Sequence, residues 1–309
     1  MRPLLLVVPK LASALAVALG VASLVFLLLH LVPGDPVEVM LGDYAGAADR
    51  AALRARLGLD LPLIEQWLRF LAGLARGDLG VSLHSGDTVR ALLARHFAAT
   101  ALLALAALSV ALALGLPLGA LAALHAGRRL DGLASAFAVL GMSLPSFVLG
   151  PLLLVLFAAR LRWFPIGGAE SAASLVLPAV TLGLGLAAVL ARMTRAALQD
   201  FLHQPFVLAA RARGLGDAAV LLRHAARNAA LPVVTVLGLQ LGALLGGAVV
   251  TETVFDWPGL GQLLIEAIQR RDYPVVQGAV LLIALCYIGV NALVELLYVW
   301  LDPRIGGAR

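Results

Sequence analysis

The stretch "RARGLGDAAVLLRHAARNAALP", Arg211 to Pro232, decides how the rest of the chain is read. It carries four arginines and a histidine, yet uncharged runs long enough to cross a bilayer lie on both sides of it. The chain has 309 residues, of which 61% are hydrophobic and 13% charged. That charged share is about half the usage of soluble domains, and the mean hydropathy is +0.98. Composition therefore places the chain in a membrane. The net charge of +5 does not argue for nucleic acid, because the basic residues sit between apolar runs and no soluble domain presents them. The one cysteine, Cys286, rules out an internal disulfide.

A helix needs about 20 apolar residues to cross the hydrocarbon core. Six stretches qualify: 11–32, 97–124, 132–159, 171–191, 229–251 and 273–294, none with an Asp, Glu, Lys or Arg. The first is read as a retained span, since its apolar run exceeds the roughly 7–15 residues of a signal peptide. Orientation follows the Lys and Arg of short loops. With the N-terminus inside, the inner segments hold twelve and the short outer loops four: Arg160, Arg162, Arg270 and Arg271. Both termini are therefore predicted to be cytoplasmic. The organisation is then 1–32, N-terminus and first span; 33–96, an extracytoplasmic segment; and 97–309, a five-helix core with a cytoplasmic loop at 192–231.

The segment 33–96 is more than a loop. "VPGDP" (32–36) breaks the first helix. "GLDLPLIEQWLRFLAGL" reads as an amphipathic helix with Pro62 in its first turn. Ile64, Trp67, Leu68, Leu71 and Leu74 share one face. "RGDLG" (76–80) reads as a turn, and Asp87 as an N-cap leading into the second span. The segment suits a cap on the membrane surface and also a docking surface for an external partner.

Much chemistry is missing. A phosphate-binding loop would end in Gly-Lys-Ser/Thr, but the only lysine, Lys10, has no glycine loop. The six histidines show no metal-ligand spacing, and no nucleophile elbow occurs. The spans also lack the mid-membrane ionisable groups that ion-coupled carriers use; Glu252 and Glu295 lie only at span ends. Enzyme, metalloprotein and ion-coupled carrier all lose ground.

Packing signals are clearer. Gly238, Gly242 and Gly246 form a double GxxxG, which lets helices approach closely in lipid. The contact can lie within the chain or against a second subunit. Gly115 and Gly119 flank Pro117 in the second span, and Pro145 and Pro151 should kink the third. Gln240, a polar side chain in the fifth span, is a candidate pathway residue or a hydrogen-bonding partner for a neighbour.

In the cytoplasmic loop, Pro205 fits the first position of a short helix and Gly214 its end. Asp217 caps a second helix, about 218–230, leading to Pro232. The short helix mixes Ala209, Ala210 and Ala212 with Phe206, Val207 and Leu208, rimmed by Arg211 and Arg213. Small residues with a few apolar knobs suit insertion into a partner's groove.

"FVLAARARGLGDAAVLLRHAARNAALPVVTVLGLQ" (206–240) resembles the cytoplasmic signature loop of ABC-importer permeases, most closely the first permease subunit of the dipeptide/oligopeptide/nickel class. The resemblance covers nearly the whole chain. "LVPGDPVEVMLG" (31–42), "LGLDLPL" (57–63), "RGDLGVSL" (76–83), "TETVFDWPGLG" (251–261), "RDYPVVQ" (271–277) and "LDPRI" (301–305) follow in order. Leu208, commonly arginine in the family, and Phe206, often tyrosine, depart from the pattern. The resemblance implies an all-α integral membrane protein of the MetI-like, type I importer permease fold, with six transmembrane helices and a cytoplasmic coupling helix. It implies that residues 206–215, Phe206 through Leu215, contact an ATPase. It implies a multi-pass protein of the bacterial inner membrane that pairs with a second permease as a heterodimer. Two cytoplasmic ATPases would use ATP and Mg, none of it bound by this chain, and an extracytoplasmic binding protein would deliver di- or oligopeptides. Nickel or glutathione import are alternatives within the class; an ion-coupled secondary transporter is the alternative outside it.

Overall fold

The computed structural model describes residues 13, 15–27, 37, 46–221 and 225–301. The "VPGDP" break (32–36) lies outside the described residues. Among the described residues the chain is helical, and one isolated antiparallel bridge, Val81–Thr88, stands in place of any sheet. Two compact units form, one from residues 1–98 and 262–288, the other from 99–261 and 289–309.

In the first unit, α1 (Leu15–Leu27) is a short apolar helix. α2 (Ala47–Leu57) precedes the expected amphipathic helix and ends at Gly58, where φ is 68°. That left-handed turn suits glycine. α3 (Leu63–Ala75) starts one residue later than expected, with Pro62 ahead of its first turn. Its apolar face is split. Trp67 Nε1 donates to Ser23 Oγ of α1 at 3.0 Å, and Phe70 stacks on Phe26 at 5.8 Å. Ile64 and Leu68, which the helical spacing places on the same face, are instead exposed.

The motifs 76–83 and 271–277 meet in this unit. Ser82 Oγ donates to Asp272 Oδ2 at 2.5 Å, and Leu83 N–H donates to Asp272 Oδ1 at 3.2 Å. Both side chains are buried, so each needs the other to satisfy its polar atoms. Gly77 and Gly80 make the expected turn with positive φ. Asp87 does not cap α4 (Val89–Leu124): Thr88 holds that position, its carbonyl accepting from Ala91 and Leu92. The Asp87 carbonyl is taken instead by Ser82 N–H at 2.8 Å, because the loop doubles back on itself.

The second unit is organised around α7 (Val176–Leu202), entered through a 3₁₀ turn, Ala172–Leu175. α5 (Arg129–Ser143), α6 (Ser146–Leu153) and α10 (Ala226–Val254) pack against it. Small residues let α4 approach it closely. A methyl group at Gly119 would lie 2.5 Å from the Ala191 carbonyl oxygen, and one at Gly115 would lie 2.9 Å from that of Ala187. Gly183 is equally tight against α4, and Gly141 of α5 against Ala188. Apolar contact between Leu103, Ala107, Leu182, Leu244 and Trp257 fills the space between these helices.

The third predicted span carries the expected break at Pro145. It is two helices, α5 and α6, bent by 101°. Leu144, the residue before Pro145, is extended at φ −93°, ψ 107°, since a following proline disfavours helical backbone. Beyond Pro151 the backbone widens into a π-helical segment, Leu154–Arg160. By length and composition, three helices among the described residues are able to cross a membrane alone: Val89–Leu124, Ala172–Leu202 and Tyr273–Leu297. The bent pair makes a fourth, and the other two predicted spans fall on the shorter apolar stretches Leu15–Leu27 and Asn228–Gly242.

Candidate functional site

The short helix expected in the loop 192–231 is present as α8 (Pro205–Ala212), with Gln204 as N-cap and Pro205 at the first helical position. Proline fits there because its missing N–H would find no partner within the helix. The far end is closed by two backbone bonds, Gly214 N–H to Arg211 O at 2.9 Å and Leu215 N–H to Ala210 O at 3.4 Å. Together they make a Schellman closure, which requires a left-handed residue at the first position beyond the cap; Gly214 stands at φ 83°. The helix stops at Ala212, so Arg213, Gly214 and Leu215 form its closing turn.

Val207 and Ala210, three residues apart, are both 0% exposed. They enter an apolar cluster with Ala123 at the end of α4, Leu190, Leu198 and Leu202 of α7, and Ala229 and Val233 of α10. Val220 of α9 (Asp217–Val220) and the half-buried Leu215 pack on the same cluster. The expectation that all of 206–215 faces a partner is therefore corrected: Val207 and Ala210 are used up holding α8 to its own chain. The surface left open is Phe206 at 40% exposure, Leu208 at 57%, and Ala209, Arg211, Ala212, Arg213 and Gly214. The following helix, expected over about 218–230, is described in two parts, because residues 222–224 lie outside the described residues. α9 spans one turn, with the Gly216 carbonyl accepting Val220 N–H at 3.0 Å, and α10 begins at Ala226. Gly216 thus holds the position expected for Asp217.

One ion pair secures α7 before it reaches α8. Arg195 Nε and Nη2 meet Asp131 Oδ1 and Oδ2 at 2.5 and 2.9 Å, a two-pronged pairing. Asp131 Oδ2 also accepts Gly127 N–H at 2.9 Å, which folds the loop ahead of α5 onto its own first turn. The sequence hints at this pair only by a lone aspartate beside a predicted span, 64 residues from its partner.

The sequence places Glu252 at a span end. It is 0% exposed. Its Oε1 accepts Thr100 Oγ1 at 2.6 Å and its Oε2 accepts Gly261 N–H at 2.7 Å, while Thr100 Oγ1 accepts Leu260 N–H at 2.8 Å. The carboxylate and Thr100 satisfy free N–H groups at the start of α11 (Leu260–Gln269). Any side chain at Gly259 or Gly261 would collide with Glu252. Trp257 locks the same turn by donating from Nε1 to Ala99 O at 3.0 Å. The motif 251–261 is a carboxylate-centred clasp, visible only once Thr100 is beside it.

The GxxxG signal resolves at Gly238, which is packed within the chain: a methyl group there would come within 2.5 Å of Val294 in α12 (Tyr273–Leu301). Gly242 is buried too, and what surrounds Gly246 lies outside the described side chains. Gln240 is half-buried beside a cavity of about 10 Å³ lined otherwise by leucines and a valine.

Long apolar helices joined by a short, anchored helix are the architecture expected of a permease subunit. Residues 115–307 match the family described as binding-protein-dependent transport system inner membrane component, and residues 4–104 match its N-terminal counterpart. The chain belongs to that family. It is similar to the glutathione transport system permease protein GsiC of Escherichia coli O6:H1, 41% identical over 299 residues, which are 97% of this chain and 98% of that protein. The same protein of Salmonella paratyphi A is 42% identical over equal shares. Among solved structures, the inward-facing MetNI methionine ABC transporter in its native crystal form superposes with a TM-score of 0.56 at 20% identity, covering 68% of this chain and 96% of that one. An amino acid ABC transporter with histidines gives 0.54 at 18%, covering 68% and 94%. These likenesses show the fold, that of MetI-like permeases. The chain is an ABC-importer permease, a multi-pass inner-membrane transport subunit and not an enzyme. The ion-coupled alternative falls with that finding. The family implies a partner permease, ATPases and a binding protein.

Proposed function

We propose that this permease imports short peptides and that α8 is where the energy for import enters. One observation carries this reading: α8 is fixed to the chain by Val207 and Ala210 and offers Phe206, Leu208, Ala209 and Ala212 outward. A helix held that way transmits a push. Closure of an ATP- and Mg-loaded ATPase on the outer face of α8 would move the buried cluster, and with it the inner ends of α4, α7 and α10. That is a bistable element biased from outside the membrane. Both termini lie in the cytoplasm in this reading, in keeping with the positive-inside count. A second, different permease completes the pathway, which Gln240 faces, and the binding protein docks on the segment 33–96.

The relatives' glutathione label supports the peptide class over nickel, since glutathione is a tripeptide. Glutathione is accordingly the second reading within the class. Calorimetry on the cognate binding protein separates the cases: micromolar binding of dipeptides or glutathione is expected, and binding of Ni²⁺ alone would overturn the peptide reading. For α8, a cysteine at Leu208 should cross-link to the ATPase subunit in an ATP-dependent way; cross-links only to the permease itself would count against it.

A further inference from the structure

A crevice of about 150 Å³ opens between α4, α5 and α7. Leu118, Ala122, Ala134 and Ala138 make its walls. Arg195, held by Asp131 near the start of α5, marks one end. Val139, two turns further along α5, also lines it and is 62% exposed. Its apolar walls suit a hydrocarbon group, while Ser135, Arg192 and Arg195 make the rest of its lining polar. Its charged end is asymmetric. Arg195 spends Nε and Nη2 on Asp131, which leaves Nη1. Arg192, one turn earlier, is exposed and has no hydrogen bond or ion pair with the described residues. Arg128 and Arg129 stand exposed at the same end of α5.

We infer that this crevice binds an anionic phospholipid of the cytoplasmic leaflet, with an acyl chain between α4, α5 and α7 and the phosphate against Arg192 and Arg195. Apolar walls beneath an unpaired arginine fit both halves of such a lipid, and basic pockets between spans on the cytoplasmic side are where anionic headgroups are held. A zwitterionic lipid would gain nothing from Arg192, and inorganic phosphate would gain nothing from the walls. The bound lipid would bridge α4, α5 and α7 beside the Asp131 clamp, so it would stiffen the helix that carries α8. The choice of leaflet rests on the orientation proposed above.

The test is native mass spectrometry of the assembled transporter, titrated with phosphatidylglycerol, with phosphatidylcholine of the same chains, and with inorganic phosphate. Phosphatidylglycerol should be retained and the other two lost. Arg192→Gln should weaken retention about fivefold, the contribution of one arginine at an anionic surface, and Ala138→Trp should abolish it by filling the crevice. Equal retention of both lipids, retention of phosphate alone, or no effect of Arg192→Gln in a normally assembled complex would overturn the inference. So would cross-linking of a Val139→Cys variant to the partner permease, which would mean that protein covers the opening. The leaflet is read separately, from impermeant thiol labelling of a His203→Cys variant, so an error in orientation is told apart from an absence of lipid binding.

Discussion

At Gly214 the backbone stands at φ 83° with no atom near enough to obstruct a side chain. The need for glycine there is conformational and not steric. A β-branched residue in that region costs on the order of 1–2 kcal/mol. Gly214→Val should therefore unwind the end of α8 and abolish uptake while membrane insertion stays normal; transport assays with quantified membrane fractions read both. Gly119 is the opposite case. Its φ is ordinary but Ala191 and Thr194 leave no room. Gly119→Leu should force α4 from α7 and destabilise the fold by about 1–3 kcal/mol, seen as a lower melting temperature of the purified protein. Arg195→Ala strands Asp131, whose side chain is 9% exposed. Removing one partner of a fully buried pair costs about 3–5 kcal/mol. Because Arg195 itself is 32% exposed, a loss of roughly 2 kcal/mol is expected. The double variant Asp131→Asn with Arg195→Ala should recover part of it, as a thermal double-mutant cycle would report.

At the scale of elements, α8 has two sides with different duties. Val207→Ser places a hydroxyl in the cluster of α4, α7 and α10 and should reduce the amount of folded protein. Leu208→Ser lies outside that cluster and should leave folding unchanged while lowering uptake and substrate-stimulated ATP hydrolysis. Equal expression losses for the two variants would remove the distinction. The loop punctuation was legible in the sequence, since Pro205 and Gly214 act locally through a missing N–H and a positive φ. Which face of α8 points inward was not. Ala209, Ala210 and Ala212 look alike as letters, and only the neighbours contributed by distant helices separate Ala210 from the other two. Pro145 was legible as a kink, but not as a turn of 101°. The angle depends on what α7 and α10 offer α6 to pack against.

Across the whole molecule, apolar run lengths, the lysine and arginine bias and the absence of a phosphate loop are all one-dimensional properties. They sufficed for the membrane class and pointed to six apolar stretches, of which, among the described residues, three are helices long enough to cross a membrane alone and a bent pair makes a fourth. The clasps that tie each unit together are different in kind. Ser82 and Asp272 are 190 residues apart and Thr100 and Glu252 are 152 apart. Each is a short polar side chain whose burial would be costly alone. Glu252→Ala should leave the N–H of Gly261 and the hydroxyl of Thr100 unsatisfied and lower stability by about 2–3 kcal/mol, measurable as a shift in thermal unfolding in detergent. The sequence by itself determined that the chain is apolar enough for a membrane and where the short helix α8 starts and stops, because those depend on local hydropathy and local backbone geometry. Tertiary structure alone decided which polar groups are buried as pairs, which glycines are contacts and which face of α8 is free, because each depends on what residues far along the chain bring to the same point.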